Sequence, residues 1–502
     1  MRTPNRTLSL LLAAALAACA APSRLAVPDA GPSPAGANAP SARAVPVEPL
    51  TVPPGDRSQP PPLGPAPELR IPPQQRFRLS NGLAVRLVEY HRLPIVAIHL
   101  VILDGGASRD PAGLPGLASF TAAMVTEGTA RRSSTEISDE LGFLGATLGA
   151  GASMDAAYLS GYALSRHLSR LLSLLGEVVA EPSFPAADFA RVQDQRKVSL
   201  LQQRDQPGAI AQKTFATLYW GKHPYGHWVQ GTEESLARIT REDLARFHAG
   251  HWRPGAAELV VVGDVSAEAL RGELEAALAR WKGDAPATVA PAELPSGRRE
   301  AVLVEKAGAP QTFLILGMPG MARRDPDYVA AQVLFEVLGG GAHSRLFRHL
   351  REDKGYTYGM GARESAQRMG GVSYLGGSVR ADATGQAIRD LLGEVKELRE
   401  VPVPEAELED ARDGLVRSLP GDFATAAGIA GRIAEQVTYA LPDDWWSSYP
   451  AAVRGVTAAD VQRVARRFLD PAALRTVLVG DPATVRPQLE GLPLGEVETR
   501  KR

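Results

Sequence analysis

The stretch TREDLAR at Thr240–Arg246, followed by VVVGD at Val260–Asp264, decides the organisation of this chain because it occurs twice. The second copy reads TAADVQR at Thr457–Arg463 and is followed by VLVGD at Val477–Asp481. Every residue shared by the two copies is displaced by 217 positions. Solenoid repeats are only about 20 to 50 residues long. The offset therefore indicates duplication of a whole domain.

A second marker supports the duplication, since Arg109-Asp110-Pro111 recurs as Arg324-Asp325-Pro326 at an offset of 215. Helical patterns alternate with short β-branched runs in the first copy; the helical patterns are Leu117–Val125, Leu168–Val179 and Phe189–Gln203. Such a mixture is typical of sheets covered by helices. We predict an α+β fold with two homologous tandem domains, each a mostly antiparallel sheet covered by helices.

Composition excludes several classes of protein. The chain has 502 residues with 55 basic and 56 acidic side chains, so its net charge of -1 gives no electrostatic footprint for a nucleic acid. Its single cysteine excludes an intramolecular disulfide and any metal site built from several cysteines.

The N-terminus resembles a bacterial lipoprotein signal. Arg2 and Arg6 precede the apolar run Leu8–Leu16, which is too short for a stable membrane span, and the run ends in Leu-Ala-Ala-Cys at Cys19. The resemblance implies cleavage after residue 18 and lipid attachment to Cys19. Ala20 then favours sorting to the outer membrane, with the protein facing the periplasm. An ordinary signal peptide whose cleavage site happens to contain a cysteine is the alternative.

The rest of the chain divides into four segments. Residues 19–75 are rich in Pro and Ala and are predicted to be an extended tether. The alternative is that this segment is bound by a proline-recognition domain. Residues 76–284 form the first half, residues 285–297 a linker rich in Pro, Ala and Ser, and residues 298–495 the second half.

Ordered motifs in both halves resemble one protein family. They include Gly105-Gly106 with Arg109-Asp110, Gly116-Leu117-Ala118, Pro182–Pro185, His223-Pro224-Tyr225-Gly226, Gly339–Gly341, Ser344–Phe347, Leu350–Glu352 and Gly355–Tyr358. The pattern is similar to that of the insulinase and pitrilysin metallopeptidases, or inverzincins. The resemblance extends over about 420 residues, which is more specific than any single motif.

The resemblance implies a zinc site that this chain lacks. Active members carry His-x-x-Glu-His on the helix that follows Gly-Leu-Ala, and a third ligand, Glu, about one helix downstream. Here Ser119, Ala122 and Ala123 occupy the His, Glu and His positions, and the downstream equivalent lies at or beside Ser199. A hydroxyl and two methyl groups neither hold zinc nor deprotonate water. We predict no metal in this chain and no intrinsic catalytic residue.

Histidine pairs elsewhere offer no replacement. His223 and His227 are four residues apart, but Pro224-Tyr225-Gly226 interrupts any helix between them. His248 and His251 lie near a helix end without the expected carboxylate. We interpret all four as capping and packing residues.

The second half retains two residues of the family's chemistry. Arg351 and Tyr358 match an Arg and Tyr pair of the family. In family members this pair reaches across the chamber toward the zinc of the other domain, where it binds the substrate backbone and the developing oxyanion. A guanidinium and a phenol are suited to growing negative charge. A structural role is the alternative, with Arg351 in an ion pair at a helix end and Tyr358 in the core.

This combination resembles the non-catalytic subunit of two-chain members of the family. The resemblance implies a partner subunit with an intact His-x-x-Glu-His motif and its own zinc, and a peptide or unfolded polypeptide held as an added strand at a sheet edge. Two alternatives stay open: a peptide-binding or scaffold protein without proteolysis, and an autonomous zinc metalloendopeptidase with atypical ligands.

Overall fold

A computed structural model describes residues 64, 68–285, 293–295 and 297–501. The predicted signal peptide, the lipidation site at Cys19, the tether up to residue 67 apart from Gly64, and most of the predicted linker lie outside these residues. Leu69 and Ile71, in the segment predicted as tether, pack against the core of the second half. None of the helices in the described residues has the length and apolar character needed to span a bilayer.

The first half contains a six-stranded sheet with the order β1-β2-β6-β3-β5-β4. Its neighbouring strands are antiparallel except for the parallel pair β2 and β6. The strands are β1 (Gln75–Arg78), β2 (Ala84–Glu89), β3 (Ile95–Ile102), β4 (Thr147–Ala152), β5 (Ala157–Leu164) and β6 (Ala257–Gly263). The helices are α1 (Leu117–Met124), α2 (Ser134–Leu144), α3 (Leu168–Ala180), α4 (Ala186–Arg204), α5 (Pro207–Trp220), α6 (Glu233–Arg238), α7 (Arg241–His251) and α8 (Ala267–Ala277).

The second half contains a second six-stranded sheet, with the order β12-β7-β11-β8-β10-β9. The strands are β7 (Glu300–Glu305), β8 (Gln311–Pro319), β9 (Thr357–Gln367), β10 (Gly370–Arg380), β11 (Arg475–Gly480) and β12 (Val497–Arg500). The helices are α9 (Tyr328–Phe335), α10 (Thr384–Glu400), α11 (Glu405–Asp422), α12 (Ala426–Tyr439), α13 (Trp445–Gly455), α14 (Ala458–Phe468) and α15 (Pro482–Val485). Two π-helical segments, Glu336–Gly340 and Phe347–Asp353, follow α9.

The two sheets share five strands in the same order and directions, which confirms the predicted fold class. The parallel pair β2 and β6 corresponds to the parallel pair β7 and β11. The repeated motif begins helices in both halves: Thr240 caps α7 together with Asp243, and Thr457 caps α14 together with Asp460. Only the outer strand differs, because β1 comes from the start of the first half and β12 from the end of the chain.

Each half lends one helix to the sheet of the other half. Helix α12 packs against β3 and β6, and α5 packs against β8 and β11. On α5, Phe215 is almost fully buried and lies over Gly317 of β8. A Cβ atom at Gly317 would lie 2.0 Å from the Phe215 ring, so glycine is required at this crossing. Each half therefore contributes side chains to the apolar core of the other half.

A buried polar cluster also joins the halves. The turn between β9 and β10 reaches Asp155 and Tyr225 of the first half: Asp155 accepts a hydrogen bond from the Arg368 amide at 3.1 Å. Tyr225 donates its hydroxyl proton to Asp155 and accepts from the Met369 amide at 3.1 Å. Burial raises the pKa of Asp155, and the hydrogen bond from Tyr225 opposes that rise. In the sequence, Tyr225 is notable only as part of the motif His-Pro-Tyr-Gly, which does not indicate its contact with the second half.

Replacing Tyr225 by phenylalanine should destabilise the protein by about 2 to 4 kcal/mol. The change removes a donor from a buried carboxylate and leaves the Met369 amide without its acceptor. Thermal unfolding of the variant checks this, with Tyr162→Phe as a control because Tyr162 is 45% exposed. Equal losses of stability in both variants would show that the cluster does not join the halves energetically.

Candidate functional site

Helix α1, the equivalent of the zinc helix, begins in a tight turn. Gly116 precedes it with a φ of 95°. A Cβ atom there would lie 2.8 Å from the Gln230 carbonyl oxygen, so glycine fits this position. The Asp110 carboxylate accepts from the amides of Gly116 at 2.6 Å and Ala118 at 2.7 Å. These bonds satisfy first-turn donors and place negative charge at the positive end of the helix.

The predicted ligand positions on α1 face the core. Ser119 is 8% exposed, and its hydroxyl donates to the Gly116 carbonyl at 3.1 Å. Ala122, in the place of the catalytic Glu, has no exposed surface. Ala123 is partly buried against the core of the first half. A water molecule has no access to Ala122, and the three side chains offer no nitrogen or carboxylate to a metal.

The fourth position, Ser199, lies on α4, which packs against α1. Its hydroxyl accepts from Gln203 Nε2 at 3.4 Å, and the same amide nitrogen donates to Gln230 at 2.8 Å. The structure thus brings together the two helices that carry the predicted positions. The residues at those positions do not fit a zinc ion.

An arginine that the motif comparison does not identify bridges these helices. Arg196 on α4 donates from Nη2 to the Ser119 hydroxyl at 2.5 Å and from Nη1 to the Ser119 carbonyl at 3.3 Å. Its guanidinium carbon lies 5.1 Å from the centre of the Phe120 ring. Burial lowers the pKa of Arg196 to about 10, and the charge of Asp110 opposes that change. Arg196 is therefore still a cation at neutral pH.

The histidines of both pairs make local contacts in the first half, and His227 and His251 each lie beside a carboxylate that their sequence neighbours do not indicate. His223 Nδ1 accepts from the Tyr225 amide at 3.1 Å, and the other histidine of that pair, His227, lies 3.1 Å from the carboxylate that caps α1. Burial lowers the pKa of His248 to about 4, so it is neutral. His251 Nδ1 lies 2.7 Å from Asp104. Across the residues that the structure describes, no three His, Cys, Asp or Glu side chains form a group able to hold a metal.

The structure brings Arg351 and Tyr358 together at the surface. Arg351 lies in the π-helical segment Phe347–Asp353 and Tyr358 near the start of β9. The guanidinium carbon is 4.5 Å from the centre of the Tyr358 ring, and Tyr358 is 83% exposed. Within the described residues, Arg351 has no ion pair and the Tyr358 hydroxyl has no hydrogen-bond partner. Tyr358 is therefore not a core residue, and the guanidinium is not neutralised by a carboxylate.

Each sheet has an edge strand whose outer side, within the described residues, is unpaired except for one bridge between Ala322 and Gln367 of β9. In the first sheet this strand is β4, which pairs with β5 and lies beside α1. In the second sheet it is β9, which pairs with β10 and begins at the Arg351 and Tyr358 pair. Unpaired amides and carbonyls along such an edge are a template for an added strand.

A cavity of about 470 Å³ lies between the halves, next to β9. Its aromatic walls are Trp220, Tyr225, Trp228, Phe313 and Tyr374. Two polar atoms of the lining, the Trp228 indole nitrogen and the Gln367 amide oxygen, are buried and have no hydrogen-bond partner in the described part of the chain. The sequence gives no signal for this cavity, because its walls come from six separate stretches of both halves.

Comparisons with known proteins agree with this fold. Residues 85–232 match the family described as insulinase, peptidase family M16, and residues 238–415 match the peptidase M16 inactive domain. The duplicated sheet-and-helix architecture defines a protein with the two-domain M16 fold. The chain belongs to the insulinase (M16) family.

Three similar proteins illustrate the range of that family. A crystal structure of a peptidase M16 inactive domain from Pseudomonas fluorescens has a TM-score of 0.76 and 29% identity, covering 81% of this chain and 98% of that one. A protein of Rickettsia bellii named an uncharacterized zinc protease is 24% identical over 80% of this chain and 96% of its own length. A Helicobacter pylori protein named a non-peptidase homolog is 25% identical over 66% of this chain and 76% of its own.

Proposed function

We propose that this chain is a zinc-free, non-catalytic subunit of an insulinase-family peptidase complex. It binds peptide and supplies Arg351 and Tyr358 to a partner subunit that carries an intact His-x-x-Glu-His motif and zinc. Two similar proteins carry names of the same kind, an inactive domain in Pseudomonas fluorescens and a non-peptidase homolog in Helicobacter pylori.

The exposed pair of Arg351 and Tyr358 carries this proposal. The Arg351 guanidinium lies over the Tyr358 ring, and in the described residues neither side chain has a hydrogen bond or an ion pair, so the donors of both stay available for a ligand. Such donors stabilise negative charge that develops on a carbonyl oxygen during acyl transfer. The four zinc-motif positions in the same chain provide neither metal ligands nor a base. In catalysis the pair would therefore act next to a metal site that another chain provides.

Peptide binding follows from the open edges and the cavity. An extended peptide added to β4 or β9 gains main-chain hydrogen bonds whatever its sequence. The aromatic walls of the cavity between the halves accept apolar side chains, and its unpartnered indole nitrogen and amide oxygen match the acceptors and donors of a peptide backbone. The substrate class that fits is an unfolded or extended polypeptide.

Co-purification followed by reconstitution tests the proposal. The tagged chain is isolated from native membranes in mild detergent, and its partners are searched for the His-x-x-Glu-His motif. Each chain alone and the two mixed are then assayed on a library of unstructured fluorogenic peptides, with zinc content measured in parallel. We expect cleavage by the mixture that exceeds the sum of the separate chains by at least about tenfold.

Three other outcomes would contradict the proposal. Zinc-dependent cleavage by this chain alone, with about one zinc per chain, would make it an autonomous metallopeptidase. Peptide binding without any change in the partner's activity would make it a binding or scaffold protein. Failure to recover a zinc-bearing partner from native membranes would contradict the existence of the two-chain complex.

We also propose that Cys19 anchors the chain to the outer membrane, where it faces the periplasm. The observation behind this is the Leu-Ala-Ala-Cys sequence that ends the apolar run. Acyl chains each add about 0.8 kcal/mol of membrane affinity per buried methylene, so a lipidated N-terminus is firmly attached.

Replacing Cys19 by alanine should therefore release the protein from the membrane fraction and abolish its labelling by radioactive palmitate. Fractionation on a sucrose gradient and autoradiography measure the two effects. Ala20→Asp is the matched control, because it keeps lipidation and changes only the residue expected to direct sorting. Unchanged membrane attachment and labelling of the Cys19→Ala variant would exclude lipidation at this residue.

A further inference from the structure

Arg196 lies where the two helices of the zinc site meet in family members. It is three residues before Ser199 on α4, one helical turn from the position of the third ligand. Its guanidinium reaches the position of the first ligand, Ser119 on α1, through both Nη atoms. A single side chain thus connects the two helices that contribute to the zinc site in relatives.

We infer that Arg196 is a built-in replacement for the metal: a fixed cation that ties α1 to α4 and bars a metal ion from the same space. The contacts support both roles. Two nitrogen atoms of one planar group bind the side chain and the main chain of Ser119, which fixes direction as well as distance. The guanidinium carbon lies over the Phe120 ring, which packs in the core of the first half.

Charge balance explains why a cation is tolerated in this partly buried place. Asp110 caps α1 from the same end and acts on Arg196 as an opposite charge. A metal ion placed beside the guanidinium would meet strong like-charge repulsion, because the interaction grows as the dielectric constant falls below that of water. The loss of the ligands and the presence of Arg196 are therefore two separate barriers to zinc.

The first test removes the cation. Arg196→Met is compared with Arg191→Met, an arginine of the same helix whose ion pairs are with Glu127 and Asp188. We expect a fall in Tm of about 3 to 6 °C and roughly tenfold faster hydrogen exchange of the α1 amides, residues 117–124, in the Arg196 variant only. Arg196→Lys should recover part of the protection. Unchanged α1 exchange in Arg196→Met would overturn the structural role.

The second test restores the ligands. Ser119→His, Ala123→His and Ser199→Glu are combined with Arg196 retained, and separately with Arg196→Val. We expect stoichiometric zinc, measured by mass spectrometry after dialysis against a weak chelator, only in the variant without the arginine. Equal zinc in both variants, or zinc in neither, would overturn the exclusion role, since Arg196 would then not be what bars the metal.

The inference and the proposed function fail separately. The subunit role requires Arg351, Tyr358 and a zinc-bearing partner, and none of these enters either measurement. Loss of α1 protection in Arg196→Met with no partner recovered would support the inference and reject the subunit role. Unchanged α1 protection in Arg196→Met, together with recovery of a zinc-bearing partner, would reject the inference and support the subunit role.

Discussion

Replacing Arg351 by alanine should lower the cleavage rate of the reconstituted two-chain enzyme by about 10² to 10³-fold. Removal of one preorganised oxyanion donor costs that much in other acyl-transfer enzymes. The loss should appear mainly in kcat, because the proposed contact strengthens as charge develops on the substrate carbonyl. Steady-state kinetics on a fluorogenic peptide measures it.

The neighbouring Arg348 provides the matched control. It lies in the same π-helical segment and pairs with Glu407 at 3.4 Å, so Arg348→Ala should change kcat less than about threefold. Tyr358→Phe removes one hydroxyl and keeps the ring against Arg351, and a loss of about tenfold is expected. Full activity of Arg351→Ala with bound partner would show that the pair has no role in the reaction.

Replacing Glu364 by glutamine should make the protein more stable at high pH and leave it unchanged at low pH. Glu364 lies on β9 and accepts from the Ser373 hydroxyl at 2.6 Å and from the Met321 amide at 3.0 Å. Burial raises its pKa to about 7, although both hydrogen bonds oppose that rise. Glutamine keeps an acceptor at this position and never ionises.

The sign follows from proton binding. Between about pH 4.5 and 7, the folded protein holds a proton on Glu364 that the unfolded chain has lost, so stability falls as pH rises through this window. The rise of the Glu364 pKa from 4.5 to about 7 corresponds to a loss of roughly 3 kcal/mol in the free energy of unfolding across this window. The Tm of Glu364→Gln should exceed the wild-type value by several degrees at pH 8 and equal it at pH 4.5.

Glu352→Gln serves as the control for this measurement because Glu352 is exposed. Its Tm should follow that of the wild type at both pH values. A Glu364→Gln variant that is less stable than the wild type at pH 8 would show that the ionised carboxylate stabilises the fold.

Local patterns in the sequence predicted much of the fold. The repeat at Thr240 and Thr457 marks two capped helices that lead to equivalent central strands. Capping boxes and β-branched runs depend on neighbouring residues, so they can be recognised without the tertiary structure. The exchange of helices α5 and α12 could not be predicted. It depends on contacts such as Phe215 over Gly317, which are about a hundred residues apart.

The candidate site was predicted in part. The resemblance to the family predicted that Arg351 and Tyr358 act together. Their exposure and the absence of hydrogen bonds and ion pairs to them in the described residues are properties of the folded surface. The cavity between the halves has no sequence signal, because its lining residues come from both halves. The role of Asp155 in joining the halves could not be predicted either, because its hydrogen-bond partners lie 70 and 213 residues away in the sequence.

The sequence by itself determined the duplication, the family and the absence of zinc ligands at Ser119, Ala122, Ala123 and Ser199. Each of these depends on which residues are present and on their spacing along the chain. Only the tertiary structure decided which side chain contacts Ser119. Arg196 is 77 residues from Ser119, and their contact exists because α1 and α4 pack side by side. Spacing along the chain shows which ligands are missing, whereas the contact between Arg196 and Ser119 is decided by the packing of α1 against α4.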